Sequence, residues 1–163
     1  CGVCPPDLMA KIASSNVRVI TQPAFIQHNG DRYLEQVNQQ KHPWLYPIRS
    51  LLNAGIPVAF GSDAPVAPPD PLSAIKAASD RRTQRGVTLG IEESIPTRVG
   101  LALHTATGAI NSDEDSGKGE LVPGKSADLV LLSDDPLSTA VEKLQDIQVE
   151  KTIIRGEIVW ERP

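Results

Sequence analysis

The sequence predicts an α/β fold in which helices alternate with parallel strands, followed by a small β-rich part. Two short runs of β-branched or apolar residues, at 17–21 and 57–61, are each flanked by stretches with helical periodicity. After residue 116 the pattern changes to closely spaced β-like runs. Because alternating strands and helices are typical of βα units around a parallel sheet, we divide the chain into 1–116 and 117–163.

The first third of the chain contains a helix, a strand and a long polar segment. Residues 6–15 place Leu8, Met9 and Ile12 on one helical face, and residues 17–21 are predicted as a strand. Residues 22–43 are rich in Gln, Asn and His, so we predict a long functional loop or lid there.

The middle of the chain repeats the helix-strand pattern. A helix is predicted from Pro47 to Gly55, and residues 57–61 form a wholly apolar run typical of a strand buried on both faces. Residues 71–85 and 94–110 are predicted helices. Two parallel strands cannot close a barrel or form a normal open sheet, so these elements are expected to belong to a larger assembly.

The remainder of the chain predicts a small β-subdomain. A polar, turn-forming linker at 111–117 is followed by β-like runs at 128–132, 149–154 and 157–160. Arg155-Gly156 lies where a two-residue hairpin turn is expected.

Composition excludes several classes of protein. The 163 residues are 40% hydrophobic and 22% charged with a net charge of −4, which argues against disorder. No apolar run approaches the about 18 residues of a membrane span, and no Lys/Arg cluster could follow a phosphate backbone. We therefore expect neither a membrane nor a nucleic-acid partner.

The cysteines Cys1 and Cys4 form a CxxC pattern at the start of the chain. A redox fold needs a strand before this motif, and a zinc site needs two more soft ligands. We therefore predict two reduced thiols in a loop and a cytoplasmic location. Because the chain begins at Cys1 without a Met or a leader, we expect it to be the end of a longer protein.

The most informative local pattern is Gly61-Ser62-Asp63, directly after the second apolar strand. The carboxyl ends of parallel strands carry the active sites of βα proteins, and a carboxylate there suits metal ligation or proton transfer. Asp63 could equally cap the next turn or helix, which is a common role for Asp. The residues alone leave both roles open.

Several motifs, in the same order along the chain, resemble one enzyme family. The segment 61–66, GSDAPV, looks like the end of the last barrel strand of metal-dependent amidohydrolases. Residues 119–132 are similar to the G-x-L-x-P-G-K-x-A-D-L-V-x-L segment of that superfamily. Residues 22–25, 30–33 and 46–52 further resemble the branch of predicted metal-dependent hydrolases with a TIM-barrel fold.

The resemblance implies the C-terminal part of a (β/α)8 TIM barrel, with strands seven and eight, plus strands of a small β-sandwich subdomain. It also implies hydrolysis of a non-peptide C–N bond, in an amide or cyclic amide, with a divalent metal such as zinc. Family metal ligands come from an H-x-H, two further His and an Asp after strand eight. Only Asp63 matches this set, as metal ligand and as catalytic proton shuttle.

The other candidates border the expected mouth of the site. Gln22, His28 and Arg32 are candidate contacts for a small-molecule substrate, although a loop-bracing ion pair is the alternative for Arg32. Tyr46 and Arg49 open the next helix and are expected to face the same mouth. His104 is predicted to be a packed or partly exposed helix residue, and His42, before Pro43, an extended loop residue.

The chain by itself lacks most of a barrel and most of a metal site. We therefore expect it to be inactive and to retain no metal without the missing N-terminal part of the protein. Unpaired strand edges favour self-association. The alternative is a non-catalytic α/β binding or interaction module in which the Gly-Ser-Asp segment is only a turn.

Overall fold

A computed structural model describes all residues, 1–163, and shows a mixed α/β fold. Strands β1 (Val19–Thr21) and β2 (Val58–Phe60) pair in parallel, with Val19 opposite Val58 and Thr21 opposite Phe60. Both strands fall within the runs predicted from sequence. The parallel βα arrangement of the first part of the chain is therefore confirmed.

Six α-helices surround this strand pair, and none of them combines the length and the apolar character needed to cross a bilayer. The predicted helices near 6–15, 47–55 and 71–85 are present with shorter bounds, and the predicted helix at 94–110 is divided at Thr105. The helices are α1 Pro6–Ala13, α2 Ala24–Gln36, α3 Ile48–Asn53, α4 Pro71–Asp80, α5 Thr97–His104 and α6 Ala106–Asn111. Short 3-10 helices lie at Gln39–Trp44, Ile91–Glu93 and Val141–Asp146.

The prediction of a loop over residues 22–43 is wrong. Helix α2 and a 3-10 helix occupy most of this segment. One face of α2 buries Ile26 and Gly30 and packs Tyr33 and Val37 against neighbouring residues. These buried positions recur with helical spacing. In the sequence, this periodicity is weakened by a glycine within the apolar stripe and by the many amide side chains on the opposite face.

The main core lies between the two parallel strands and the helices. Val19, Val58 and Phe60 pack in one cluster with apolar residues of α3, α4 and α5, including Leu51 and Leu103. β2 is buried at all three positions, as its sequence predicted, whereas Ile20 on the opposite face of β1 is 55% exposed. The strand pair is therefore covered by helices on one side and open at Ile20 on the other.

The last third of the chain forms an antiparallel sheet in the order β3-β4-β5. The strands are β3 Leu129–Leu132, β4 Val149–Ile154 and β5 Glu157–Glu161. Arg155 and Gly156 both have positive φ, 53° and 83°, which is the backbone of a type I′ hairpin turn. The predicted hairpin is confirmed. Between β3 and β4, Leu144 and Ile147 pack on Leu72 and Ile75 of α4.

Candidate functional site

The carboxyl ends of β1 and β2 meet at one edge of the fold because the two strands are parallel. The N–H of Gly61 donates to the carbonyl of Thr21 at 3.0 Å, so pairing continues to the last residue of β1. Gln22 follows β1 immediately, and Gly61, Ser62 and Asp63 follow the end of β2. The strand-end location predicted for these residues is present.

Asp63 lies in an exposed turn with a left-handed backbone, φ 57°. Its carbonyl accepts a hydrogen bond from the N–H of Val66 at 2.8 Å, and Ser62 Oγ accepts one from the N–H of Ala64 at 3.2 Å. These groups stabilise the turn without the Asp63 carboxylate, which forms no hydrogen bond or ion pair. The carboxylate therefore remains free at the strand end.

The capping role considered for Asp63 belongs to another residue. The next helix, α4, is capped by Asp70, whose Oδ1 accepts hydrogen bonds from the N–H groups of Leu72 and Ser73 at 3.1 and 3.2 Å. Asp63 lies seven residues earlier and makes no such bond. A helix-capping function therefore does not account for Asp63.

A small cavity of about 150 Å³ lies behind the end of β2 and is lined by Gly61, Ser62 and His104 among others. The His104 ring stands edge-on to Phe60, with the ring centroids 5.3 Å apart. Burial lowers the pKa of His104 to about 4, and its Nε2 is buried without a hydrogen-bond partner. His104 is thus a packed, neutral helix residue, as its sequence context predicted.

The candidates His28 and Arg32 lie on α2, one helical turn apart, and not in a loop. The Arg32 guanidinium lies 5.8 Å from the centroid of the Tyr33 ring and pairs with no carboxylate, so the loop-bracing ion pair is absent. No hydrogen bond or ion pair joins Gln22, His28 or Arg32 to Asp63. Their roles as substrate contacts stay predictions.

Tyr46 is buried and packs with Ile26 of α2 and with Leu89. Its hydroxyl is 3.1 Å from that of Tyr33. Burial, this hydrogen bond and the negative charge of Asp63 raise the pKa of Tyr46, whereas the positive charge of Arg32 lowers it. Arg49, in contrast, donates from Nε to the carbonyl of Ser94 at 2.7 Å, which is a structural contact.

Arg81 was not predicted as a functional residue, although it is fully buried beside Tyr46. Its guanidinium donates to three backbone carbonyls, two of which belong to Leu45 and Tyr46. In the sequence Arg81 is followed by Arg82 and looks like the charged, solvated end of a helix. Its acceptors at 45 and 46 are too distant in sequence for any local pattern to indicate them.

The chain does not bring together a full set of metal ligands. No three side chains of His, Cys, Asp or Glu come together, and both Cys1 and Cys4 are free thiols. A catalytic zinc takes about three protein ligands. A set of that size is not present among residues 1–163, and Asp63 as a metal ligand stays a prediction.

Comparison with known proteins places this geometry in a family. The model of the amidohydrolase family matches residues 1–160. The chain belongs to the amidohydrolase family. The resemblance predicted from the strand-end Asp63 motif and from residues 119–132 is therefore confirmed.

Two curated relatives of this amidohydrolase chain are much longer than it is. It is 33% identical over 153 residues to an N-substituted formamide deformylase of Arthrobacter pascens, covering 93% of this chain and 28% of the relative. It is 28% identical over 159 residues to YtcJ of Bacillus subtilis (strain 168), covering 96% of this chain and 30% of the relative. The chain thus spans less than a third of the length of these relatives.

Solved structures agree with the family assignment. The chain resembles an uncharacterized metal-dependent hydrolase from Pyrococcus horikoshii OT3 with a TM-score of 0.76 and 26% identity, covering 86% of this chain and 29% of that one. It also shares the fold of an adenosine deaminase from Xanthomonas campestris with bound zinc, with a TM-score of 0.66 and 20% identity. That match covers 96% of this chain and 35% of the deaminase.

Proposed function

We propose that the chain supplies Asp63 to the active site of a metal-dependent amidohydrolase. The enzyme hydrolyses a non-peptide C–N bond, in an amide or cyclic amide. The observation that carries the proposal is the free Asp63 carboxylate at the carboxyl end of β2. The Asp63 carboxylate is used neither within its turn, where Ser62 Oγ and backbone groups make the hydrogen bonds, nor as the cap of α4. The geometry therefore favours catalysis over the alternative of a non-catalytic binding module.

In architecture, we propose that β1 and β2 are strands seven and eight of a (β/α)8 barrel. The antiparallel sheet β3-β4-β5 then belongs to a β-sandwich, with the boundary between residues 116 and 117. The parallel pairing of β1 with β2 and the separate three-stranded sheet support this assignment. The missing strands belong to the N-terminal part of the protein.

In mechanism, Asp63 serves as a metal ligand and as the proton shuttle. Asp63 would be one ligand of a divalent metal, which we propose to be zinc; when bound, that metal would polarise the scissile carbonyl and lower the pKa of a water bound to it. The Asp63 carboxylate accepts the proton of the attacking water and returns it to the leaving nitrogen. Its exposure and lack of intramolecular partners leave both oxygens available for these roles.

The substrate is a small molecule. One relative is named an N-substituted formamide deformylase, so N-substituted formamides are the first compounds to assay. The proposed substrate contacts are Gln22, which follows β1, and His28 and Arg32 on α2.

The proposal is tested by replacing Asp63 with Asn in the full-length protein. We expect turnover of an N-substituted formamide to fall by at least about a thousandfold, because the amide cannot accept the proton of the attacking water. Asp146→Asn, at another exposed Asp remote in sequence from the site, is the matched control and should retain wild-type turnover. Circular dichroism checks that both variants are folded. Near-normal turnover by folded Asp63→Asn would refute the assignment.

A further inference from the structure

The turn that carries Asp63 continues with three apolar residues, Ala64, Pro65 and Val66, and all three are exposed. Val66 is 69% exposed, which is the largest exposed fraction of any valine in the chain. Pro is a common turn residue, but a β-branched side chain such as Val contributes nothing to turn formation. Runs of exposed apolar side chains are avoided on protein surfaces unless they contact something. Turn chemistry therefore does not account for Val66.

Val66 is held beside Asp63 by a direct hydrogen bond. The N–H of Val66 donates to the carbonyl of Asp63 at 2.8 Å, which closes a four-residue turn. The first and last Cα atoms of such a turn are less than about 7 Å apart. The exposed Val66 side chain and the exposed Asp63 carboxylate are thus neighbours on one surface.

The residue after Val66 is turned inwards. Ala67 is 2% exposed and packs with Ala24 of α2 and Ala74 of α4, and the Phe25 ring lies against the same cluster. The two helices therefore cover Ala67 and leave Val66 uncovered. Close packing of this kind transmits displacements poorly tolerated by its neighbours, and a valine side chain is stiff at χ1. Val66 is thus a preformed apolar contact.

The polar groups of the turn are consumed within it, with one exception. The Oγ of Ser62 accepts a hydrogen bond from the N–H of Ala64, and the carbonyl of Asp63 accepts the one from Val66. What remains for a ligand is the Asp63 carboxylate beside an apolar surface. Small-molecule sites are typically built in this way, from apolar walls and a few placed polar groups.

We propose that Val66 is a specificity-determining residue whose side chain contacts an apolar substituent on the leaving nitrogen of the substrate. This inference rests on the proposed function, in which Asp63 returns a proton to that nitrogen and therefore comes within hydrogen-bond distance of it, about 3 Å. A side chain in the same turn as Asp63 then meets the atoms attached to the nitrogen. The substrate class is an amide whose nitrogen carries an alkyl or aryl group rather than a polar one.

Two formamides of equal length test this contact in the full-length protein. N-butylformamide ends in a methyl group, and N-(3-hydroxypropyl)formamide has a hydroxyl in its place. The wild type should prefer N-butylformamide by at least about tenfold in kcat/KM, because the hydroxyl loses the apolar contact with Val66. Val66→Thr, which replaces one methyl group of the side chain by a hydroxyl, should reduce this preference at least about threefold. Val87→Thr, at another exposed valine outside the helices and strands, is the matched control and should leave the preference unchanged.

An unchanged preference in Val66→Thr would overturn the inference. If thermal unfolding of that variant were also lowered by more than about 2 °C, the N-terminal part of the protein and not the substrate would cover Val66. A wild type that hydrolyses neither formamide, or both equally well, would overturn the substrate class named here. Failure of the proposed function gives a different result, because Asp63→Asn would then retain wild-type turnover of N-butylformamide.

Discussion

The Asp63 carboxylate remains free because Ser62 Oγ and backbone groups make the hydrogen bonds of the turn around it. The Gly-Ser-Asp run after an apolar strand indicates a polar strand end and hence a candidate site. The same run does not show whether the Asp63 carboxylate is used within the turn. Arg81 gives no signal at all, because its acceptors at Leu45 and Tyr46 are brought to it only by folding.

At the residue scale, His104 makes the chain sensitive to acid. Its pKa is about 4 in the folded state against 6.5 for an unperturbed His, so folding stabilises the neutral form. This contribution is complete above pH 6.5 and is lost as the pH falls from 6.5 towards 4. The loss amounts to roughly 3 kcal/mol.

His104→Phe removes this titration and preserves an aromatic contact with Phe60. We expect urea unfolding, followed by circular dichroism at pH 7 and pH 4, to show a smaller loss of stability in the variant than in the wild type. The difference between the two losses should be roughly 3 kcal/mol. Equal losses in both proteins would mean that the His104 imidazole is not kept neutral by burial.

At the element scale, α2 illustrates how composition can hide periodicity. Its buried face uses Gly30 in place of an apolar side chain, because Thr83 approaches so closely that a Cβ on Gly30 would be 2.5 Å from the Thr83 Cγ2. A helix that packs through a glycine has a weak apolar signal in its sequence. The polar face, rich in amides, then suggests a loop until the packing partner is known.

This close approach predicts that the cost of Gly30→Ala depends on its neighbour. In the wild-type background the added methyl group overpacks the contact with the rigid Thr83 side chain, and we expect a loss of about 1 to 3 kcal/mol. In a Thr83→Ser background the Cγ2 is gone and only the Cβ, at 3.3 Å, remains close, so the loss should be smaller. Thermal unfolding of the four proteins measures both values, and a loss of equal size in both backgrounds would contradict the contact.

At the scale of the whole molecule, the strand pair β1-β2 has one unpaired edge on each strand. Ile20 is exposed on the face opposite the helices, although its position in a strand between buried neighbours is typical of a core residue. Unpaired strand edges beside exposed apolar side chains favour pairing with another polypeptide segment or with a second copy of the chain. The proposed barrel would cover these surfaces with strands from the N-terminal part of the protein.

We therefore predict that the 163-residue chain by itself self-associates at micromolar concentration. Size-exclusion chromatography with light scattering should give a mass above the 17.5 kDa of one chain. Ile20→Lys, on the open face, should shift the distribution towards the monomer, whereas Val87→Lys, at an exposed apolar residue outside the strands, should not. A clean wild-type monomer would contradict the prediction.

The sequence by itself determined the α/β class, the two parallel strands, the terminal hairpin and the strand-end position of Asp63. These features depend on local periodicity, turn chemistry and short motifs, which neighbouring residues specify. Only the tertiary structure decided that α2 is a helix, that Asp63 is not a cap and that Arg81 holds Tyr46. The helix α2 and the Arg81 contact depend on residues distant in sequence, Gly30 with Thr83 and Tyr46 with Arg81, and such contacts form only when the elements pack. The capping of α4 is local, but the sequence offers both Asp63 and Asp70 ahead of that helix, and only the geometry selects Asp70.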